Sequence, residues 1–392
     1  MWINMDCTDE WRRMKMDELY SNIINQLDDK IADFIQEVAK TEKNLVIWGT
    51  NHYGQLVQEK LAREENVGSI MYFGDNDSNK WNESVNGIMV KSADFFAEDS
   101  KSYFVIICSF WENEIANQLE QVGLEYTRNS WPVVYKELLQ KHYAKYDAAL
   151  QYGLDIENVW NVFNKAKILY SKSEIQKKFE QVRELLLDDY SRTIYDKRID
   201  FLTKGDISLI SDYFTTTLEY FSSCYYNEEH ITEHEVFVDC GAYTGDTIAT
   251  FIDATHGKYG KIYAYEPDQR YFDIAGKYIK DNNLNVCLVQ KGVGECQGEG
   301  DILVTSLDQD IDDVVTWIKM DIEGYELSAL KGARHLIQKY HPKLTICLYH
   351  KVQDIYEIPL YLHELVPKYR FKLSQHFRGH YDFILYADTY ED

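Results

Sequence analysis

The sequence predicts an α/β protein with two sheet-bearing regions joined by a helical connector. Three observations predict it. Short apolar runs alternate with helical stretches over 44–135, and again over 231–392. The intervening 136–230 has mixed charges and scattered Leu, Ile and Tyr, but no convincing strand. Such alternation argues for parallel sheets with crossover helices. A chain of 392 residues also exceeds one ordinary domain. The expected divisions are a helical segment 1–43, an α/β domain 44–135, a connector 136–230 and a second α/β domain 231–392.

Within 1–43, Leu19, Ile23, Leu27, Ile31 and Ile35 recur every fourth residue, which marks one apolar helix face. In 44–135 the expected strands are 45–48, 69–73 and 103–108, with helices at 55–64 and 112–122. The connector contains a helical stretch at 172–188 and packs on the C-terminal domain. In 231–392 the expected strands are 235–239, 261–265, 286–290, 317–320, 344–349, 371–374 and 383–386. Helices fit at 246–252, 269–281, 325–338 and 355–366. No helix-length segment separates the last two strands, so an antiparallel hairpin closes the seven-stranded sheet.

Lys and Arg number 41 against 65 Asp and Glu, a formal charge of −24. Nucleic-acid affinity comes largely from neutralising phosphates with basic residues, so neither nucleic acid nor an anionic membrane surface is expected as a partner. Apolar runs such as 103–108 fall short of the roughly 20 residues of a membrane span, so no membrane insertion is expected. The N-terminus lacks a basic region followed by an apolar one, which argues against a signal peptide. Seven widely spaced cysteines without a Cys-x-x-Cys fit reduced thiols, and with them a cytoplasmic location.

The chemistry concentrates at predicted strand ends. Val236-Phe237-Val238-Asp239-Cys240-Gly241-Ala242-Tyr243-Thr244-Gly245-Asp246 runs from a strand through a Gly-x-x-x-Gly turn into a helix. Glycines let the backbone approach a ligand closely. The next strand ends in Tyr265-Glu266-Pro267-Asp268, where a carboxylate can accept from both ribose hydroxyls. The loop lacks the Gly-x-Gly-x-x-Gly triplet of dinucleotide sites. It carries Asp239 and Asp246 where a pyrophosphate would want neutral N–H groups. Carboxylates suit a ligand with a sulfonium and an ammonium, and S-adenosyl-L-methionine has both.

A third strand delivers Lys319-Met320-Asp321-Ile322-Glu323-Gly324-Tyr325-Glu326, and a fourth ends in Tyr349-His350-Lys351 with Asp354. Unpaired buried carboxylates are costly, so Asp321, Glu323 and Glu326 are not all core residues, and helix capping explains one or two of them. Asp321 and Glu323 then face a substrate or a metal. His350 stands where a general base or substrate ligand would be placed, with a structural hydrogen-bonding role as the alternative.

From about residue 185 onward these stretches resemble the FkbM family of S-adenosylmethionine-dependent methyltransferases. Leu187-Asp188-Asp189-Tyr190-Ser191-Arg192, Lys291-Gly292-Val293 and Ser306-Leu307-Asp308 complete the match, in the same order. The resemblance implies a Rossmann-like class I methyltransferase domain over 231–392 and methyl transfer, usually to oxygen, in polysaccharide, glycan or natural-product biosynthesis. Residues 44–125 resemble the smaller Rossmann-like, nucleotide-sugar-type domain that precedes such enzymes. Two departures bear on the substrate. Only 294–305 stands where the family carries a longer insert, and Gln375-His376 stands where it tends to carry Arg-His. In the N-terminal domain Asn51 replaces an expected glycine in Gly49-Thr50-Asn51-His52-Tyr53-Gly54. A nucleotide-binding domain and a docking module for a second copy or a biosynthetic partner both remain open there.

Site residues follow from both lines of reasoning. Asp239, Gly241, Ala242, Tyr243, Gly245, Asp246 and Thr247 would hold the methionine end of the cofactor. Glu266 and Pro267 would hold the ribose, and Gly292 and Val293 would flank the adenine. Asp321 would border both cofactor and acceptor. His350, Asp321, Glu323 and Lys319 form the expected catalytic set, which holds and deprotonates a small-molecule or glycan acceptor; S-adenosylhomocysteine is the product. A divalent metal near Asp321 and His350 is left open. The competing readings are a non-catalytic scaffold with this fold and a nucleotide-sugar-binding protein.

Overall fold

The computed structural model describes residues 6–109, 111–140, 159–208, 212, 213, 215, 219–221, 225, 226, 231–296, 302–376 and 382–389. They divide into two compact units, Met1–Asn164 with Asp200–Tyr213, and Lys165–Ile199 with Phe214–Asp392. The stretch 136–230 therefore contributes to both units, its 165–199 part lying with the C-terminal one.

The first unit opens with helix Asp6–Ala39. Ile23, Leu27, Ile31, Phe34 and Val38 are its buried stripe, whereas Ile35 is only half-buried. A strict four-residue spacing drifts around a helix of 3.6 residues per turn, so the buried face passes from Ile31 to Phe34. Leu19 lies where side chains are not described. Asn22 Nδ2 donates to the Lys204 carbonyl at 2.6 Å and Gln26 Nε2 to that of Gly205 at 2.8 Å, tying the returning segment to this helix.

Its sheet comprises β1 (Asn44–Trp48), β2 (Ile70–Gly74), β3 (Ser84–Val85), β4 (Ile88–Lys91), β5 (Tyr103–Ile107) and β6 (Glu125–Thr127), in the order β3-β4-β2-β1-β5-β6. All neighbours are parallel except the β3–β4 hairpin. Val46, Trp48, Phe96, Val105, Ile107 and Leu119 form a core on the sheet. Fully burying side chains of this kind is worth about 1.5–3 kcal/mol each. The helix expected at 55–64 starts earlier and spans His52–Leu61, because Asn51 caps it.

In the second unit, helix Ser173–Leu185 stops short of the predicted 188. The backbone at 186–187 leaves the helix to pair with Phe371, whose carbonyl accepts from Leu187 N at 2.8 Å. The main strands are β7 (Val236–Cys240), β8 (Lys261–Tyr265) and β9 (Val286–Val289), followed by the short pair β10 (Gly292–Val293) and β11 (Val304–Thr305), and then β12 (Trp317–Met320), β13 (Lys343–Cys347), β14 (Arg370–Gln375) and β15 (Phe383–Asp388). The seven-stranded order is β14-β15-β13-β12-β7-β8-β9. Only β15 runs antiparallel, against both β13 and β14. The predicted closing hairpin is therefore present.

Chain order reverses between β7 and β12. Ligands of open α/β sheets bind at the carboxyl ends of the strands beside such a reversal. Beneath that edge Phe221, Phe237, Phe251 and Trp317 interlock, with Phe237 stacked on Phe251 at 4.3 Å and Phe221 edge-on to Trp317 at 5.3 Å. The single helix expected at 325–338 is two, Glu326–Gly332 and Arg334–Tyr340. The break falls at Ala333, whose φ of −108° and ψ of 11° leave the helix; beside it Gly332 lies against the Gly294 carbonyl, 2.0 Å from where a Cβ would sit. Among the described residues no helix is long and apolar enough to cross a membrane. Cys108, Cys240, Cys287, Cys296 and Cys347 are free thiols.

Candidate active site

Four strand ends, those of β7, β8, β12 and β13, deliver the candidate residues to one edge of the second unit. Beyond β7 the chain turns through Gly241, at φ +83°, and Gly245, at φ +88°. A Cβ on Gly241 would lie 2.0 Å from the Asp321 carbonyl oxygen, so no other residue allows this approach of two strand ends. Gly241 N and Ala242 N both donate to the Tyr265 carbonyl at 3.0 Å, and Gly245 N donates to Ala242 O at 2.8 Å. Tyr243, itself left-handed at φ 46°, is exposed, with its ring 4.1 Å from that of Tyr271. Asp246 is exposed in the first turn of helix Asp246–Ala254, and Thr247 is buried behind it.

Asp239 and Lys319 are register partners on β7 and β12. Lys319 Nζ lies 3.1 Å from Asp239 Oδ1 and donates to the Gly241 carbonyl at 2.8 Å. Both side chains are sealed from solvent, and neither Asp239 oxygen accepts a well-formed hydrogen bond. Burial raises the Asp239 pKa to about 6, against the pull of Lys319. Burial opposes the Lys319 charge, yet Asp239 and Asp321 outweigh it and hold that ammonium above its ordinary value. Lys319 thus lies beneath the glycine turn, in contact with its carbonyl.

Glu266 is buried at the end of β8. Its Oε2 accepts from Tyr243 N and its Oε1 from Asp268 N, both at 2.9 Å, which binds the β7 turn to the β8 turn. Burial lifts its pKa above the usual carboxylate range, partly offset by those two N–H groups. Pro267 is half-buried beside it. Gly292 and Val293 follow β9; Gly292 N donates to Leu303 O at 2.8 Å, and Val293 is buried.

The β12 and β13 ends meet around His350, whose side chain is only 9% exposed. Its Nε2 lies 3.4 Å from Asp321 Oδ1 and 3.6 Å from Glu323 Oε2, and its Nδ1 lies 2.8 Å from Glu326 Oε1. Tyr220 Oη donates to Asp321 Oδ2 and Tyr349 Oη to Asp321 Oδ1, each at 3.0 Å. Glu323 and Gly324 are both left-handed, at φ 56° and 92°, and turn the chain into helix Glu326–Gly332. This leaves Glu323 93% exposed and Glu326 fully buried. Burial lowers the His350 pKa, but Glu326, then Asp321 and Glu323, outweigh it and hold it above the ordinary histidine value.

No sequence motif marks Tyr220 or Tyr349 for a role, and Glu326 is expected only as a capping carboxylate. Tyr349 could have been found from its place beside His350. Tyr220 belongs to no motif and reaches Asp321 from the stretch before β7.

A ligand atom from each of Asp321, Glu326 and His350 falls within 4.8 Å of the others. Glu326 Oε1 already faces the N–H groups of Ile322, at 2.9 Å, and Gly324, at 3.3 Å. His350 directs a different ring nitrogen to each carboxylate, and a single ion can take only one of them.

In the first unit, Asn51 Oδ1 accepts from Tyr53 N and Gly54 N, the donors that a phosphate would use at this helix start. Asp75, at the end of β2, binds Thr50 Oγ1 and lies 3.0 Å from Lys80 Nζ.

Residues 302–373 match the methyltransferase FkbM domain. Among solved structures, the methyltransferase FkbM from Methylobacillus flagellatus KT is similar over 95% of this chain and 99% of its own, at 23% identity and a TM-score of 0.53. An rRNA methylase from Streptococcus thermophilus is similar over 42% of this chain and 92% of its own, at 16% identity and a TM-score of 0.33. A SAM-dependent methyltransferase from Aquifex aeolicus is similar over 44% and 92%, at 21% identity and a TM-score of 0.31. No curated protein matches the chain in sequence. At these identities the likeness is one of fold: the chain has the Rossmann-like methyltransferase fold that the sequence led us to expect.

Proposed function

We propose that this protein is an S-adenosylmethionine-dependent O-methyltransferase acting on a hydroxyl of a sugar, glycan or natural product. The observation that carries the reading is the placement of Asp239, Glu266, Asp321 and His350 at four neighbouring strand ends beside the sheet's reversal. A scaffold has no use for those charges there.

The site fits the cofactor on its own terms. Gly241 and Gly245, both left-handed, let the β7 turn close on the Asp321 carbonyl and on Tyr278, and Asp239 holds buried oxygens without well-formed hydrogen bonds. When bound, S-adenosylmethionine supplies the methyl group on a sulfonium. Asp246 faces the cationic methionine end, Asp239 supports that turn from beneath through Lys319, Glu266 takes the ribose hydroxyls, and Val293 borders the adenine. Lys319 is a positioning residue that fixes the glycine turn from below. Asp321, braced by Tyr220 and Tyr349, orients the acceptor hydroxyl, and His350 Nε2 removes its proton. Positioning of this kind can supply about 7–11 kcal/mol of the barrier, and a placed base adds about 10²–10⁴-fold. The protein works in the cytoplasm, without nucleic acid. Residues 1–135 act as a docking module, a reading favoured by the self-capped Asn51 turn.

The test is transfer of labelled methyl from S-adenosylmethionine to a panel of sugar and polyketide alcohols. Label in an acid- and base-stable ether supports the reading. Label only in amines or in RNA contradicts it.

A further inference from the structure

We infer that Glu326 is the positioning residue of the base: it fixes the His350 tautomer, so that Nε2 and not Nδ1 faces the acceptor. The inference rests on the reading of His350 as the base and adds a residue to that site.

Geometry carries it. Glu326 is fully buried, and its Oε1 lies 2.8 Å from His350 Nδ1. The same oxygen accepts from Ile322 N and Gly324 N, so the turn after Asp321 holds the carboxylate still. Neither Glu326 Oε2 nor His350 Nδ1 has a well-formed hydrogen bond, so the 2.8 Å approach of Nδ1 to Oε1 is an ion-pair contact that both groups keep buried. A carboxylate against one ring nitrogen keeps the proton on that nitrogen and leaves the other as acceptor. Asp321 and Glu323 stand off from the other nitrogen, Nε2, at 3.4 Å and 3.6 Å, well beyond the 2.8 Å at which Glu326 meets Nδ1.

The step balances with these groups alone. The acceptor O–H bond breaks and its proton passes to His350 Nε2. The oxygen's electron pair forms the new O–CH₃ bond as the S–CH₃ bond breaks and returns its pair to sulfur. One positive charge leaves the sulfonium and one appears on the imidazolium, directly beside Glu326. Other groups bear on that charge. Asp321 and Glu323 approach the ring from the β12 turn, and Asp354, which has Lys351 beside it, and Asp382, just before β15, interact with its charge.

Glu326→Gln keeps an oxygen for the Ile322 and Gly324 donors and removes the charge. The inference predicts that kcat falls by up to the roughly 10²–10⁴-fold a placed base supplies, with KM for S-adenosylmethionine unchanged. The acid limb of kcat/KM should move to lower pH. Should Glu326→Gln not fold, the tautomer in the unmodified protein decides: nitrogen-15 histidine NMR at a pH above the His350 titration, assigned against His350→Gln, should show a protonated Nδ1 and a bare Nε2. A protonated Nε2, or a Glu326→Gln pH profile that superimposes on the parent's, overturns the inference. Full turnover in His350→Gln would instead overturn the base reading itself, which separates the two failures.

Discussion

His350 is held among carboxylates that favour its charged form, while its proposed work requires the neutral one. The two demands carry opposite signs in pH. Free histidine titrates near 6.5, and in the folded protein the value lies higher. The pairing with Glu326 therefore stabilises the fold fully below about pH 6.5 and is lost as pH rises through the folded value. Activity runs the other way: the acid limb of kcat/KM should lie above about 6.5 and rise with pH. Urea unfolding across pH, compared with His350→Gln, checks the first statement, and a pH–rate profile checks the second. His350→Ala should lower kcat by about 10²–10⁴-fold while leaving S-adenosylhomocysteine affinity nearly unchanged; equal loss of both would remove the residue from its assigned place.

The β7 turn is where one backbone element decides the site. Gly241 is left-handed, and a Cβ there would strike the Asp321 carbonyl. Gly241→Ala should cost at least about 1–2 kcal/mol for the left-handed backbone alone, with the collision added. Chemical denaturation should show that loss, and cofactor binding should fall with it. Elements with strong local signals were legible in the sequence: Lys261–Tyr265, Trp317–Met320 and Gln269–Asp281 come out at their predicted bounds. Those set by distant partners were not. Ser84–Val85 and Glu125–Thr127 are too short and polar to show a period, and the break of helix 325–338 at Ala333, beside the Gly332–Gly294 contact, leaves no mark in the local pattern. The candidate site divides in the same way. Glycines and carboxylates at strand ends announced themselves, whereas Tyr220 meets Asp321 only through the fold.

At the scale of the whole chain, a ligand that binds only the folded form adds stability by mass action. S-adenosylhomocysteine at a hundred times its dissociation constant should add about 2.7 kcal/mol, visible as a higher melting temperature, while NAD should leave the melting temperature unchanged. The charge of −24 predicts no retention on DNA or RNA at physiological salt. In the first unit Asn51 and Lys80 already satisfy the groups a nucleotide would engage, so UDP-sugars should give no heat on titration.

The most direct test is titration calorimetry of the full chain with S-adenosylmethionine and S-adenosylhomocysteine, using NAD and a UDP-sugar as controls, repeated on Glu266→Ala and His350→Ala. The proposed site predicts micromolar binding of both adenosyl ligands. Loss of a charged hydrogen-bonding group worth about 1.5–3 kcal/mol should weaken binding roughly 10–100-fold in Glu266→Ala, with His350→Ala close to the parent. No heat with either adenosyl ligand, or binding that survives Glu266→Ala unchanged, would contradict a cofactor site at the β7 and β8 ends.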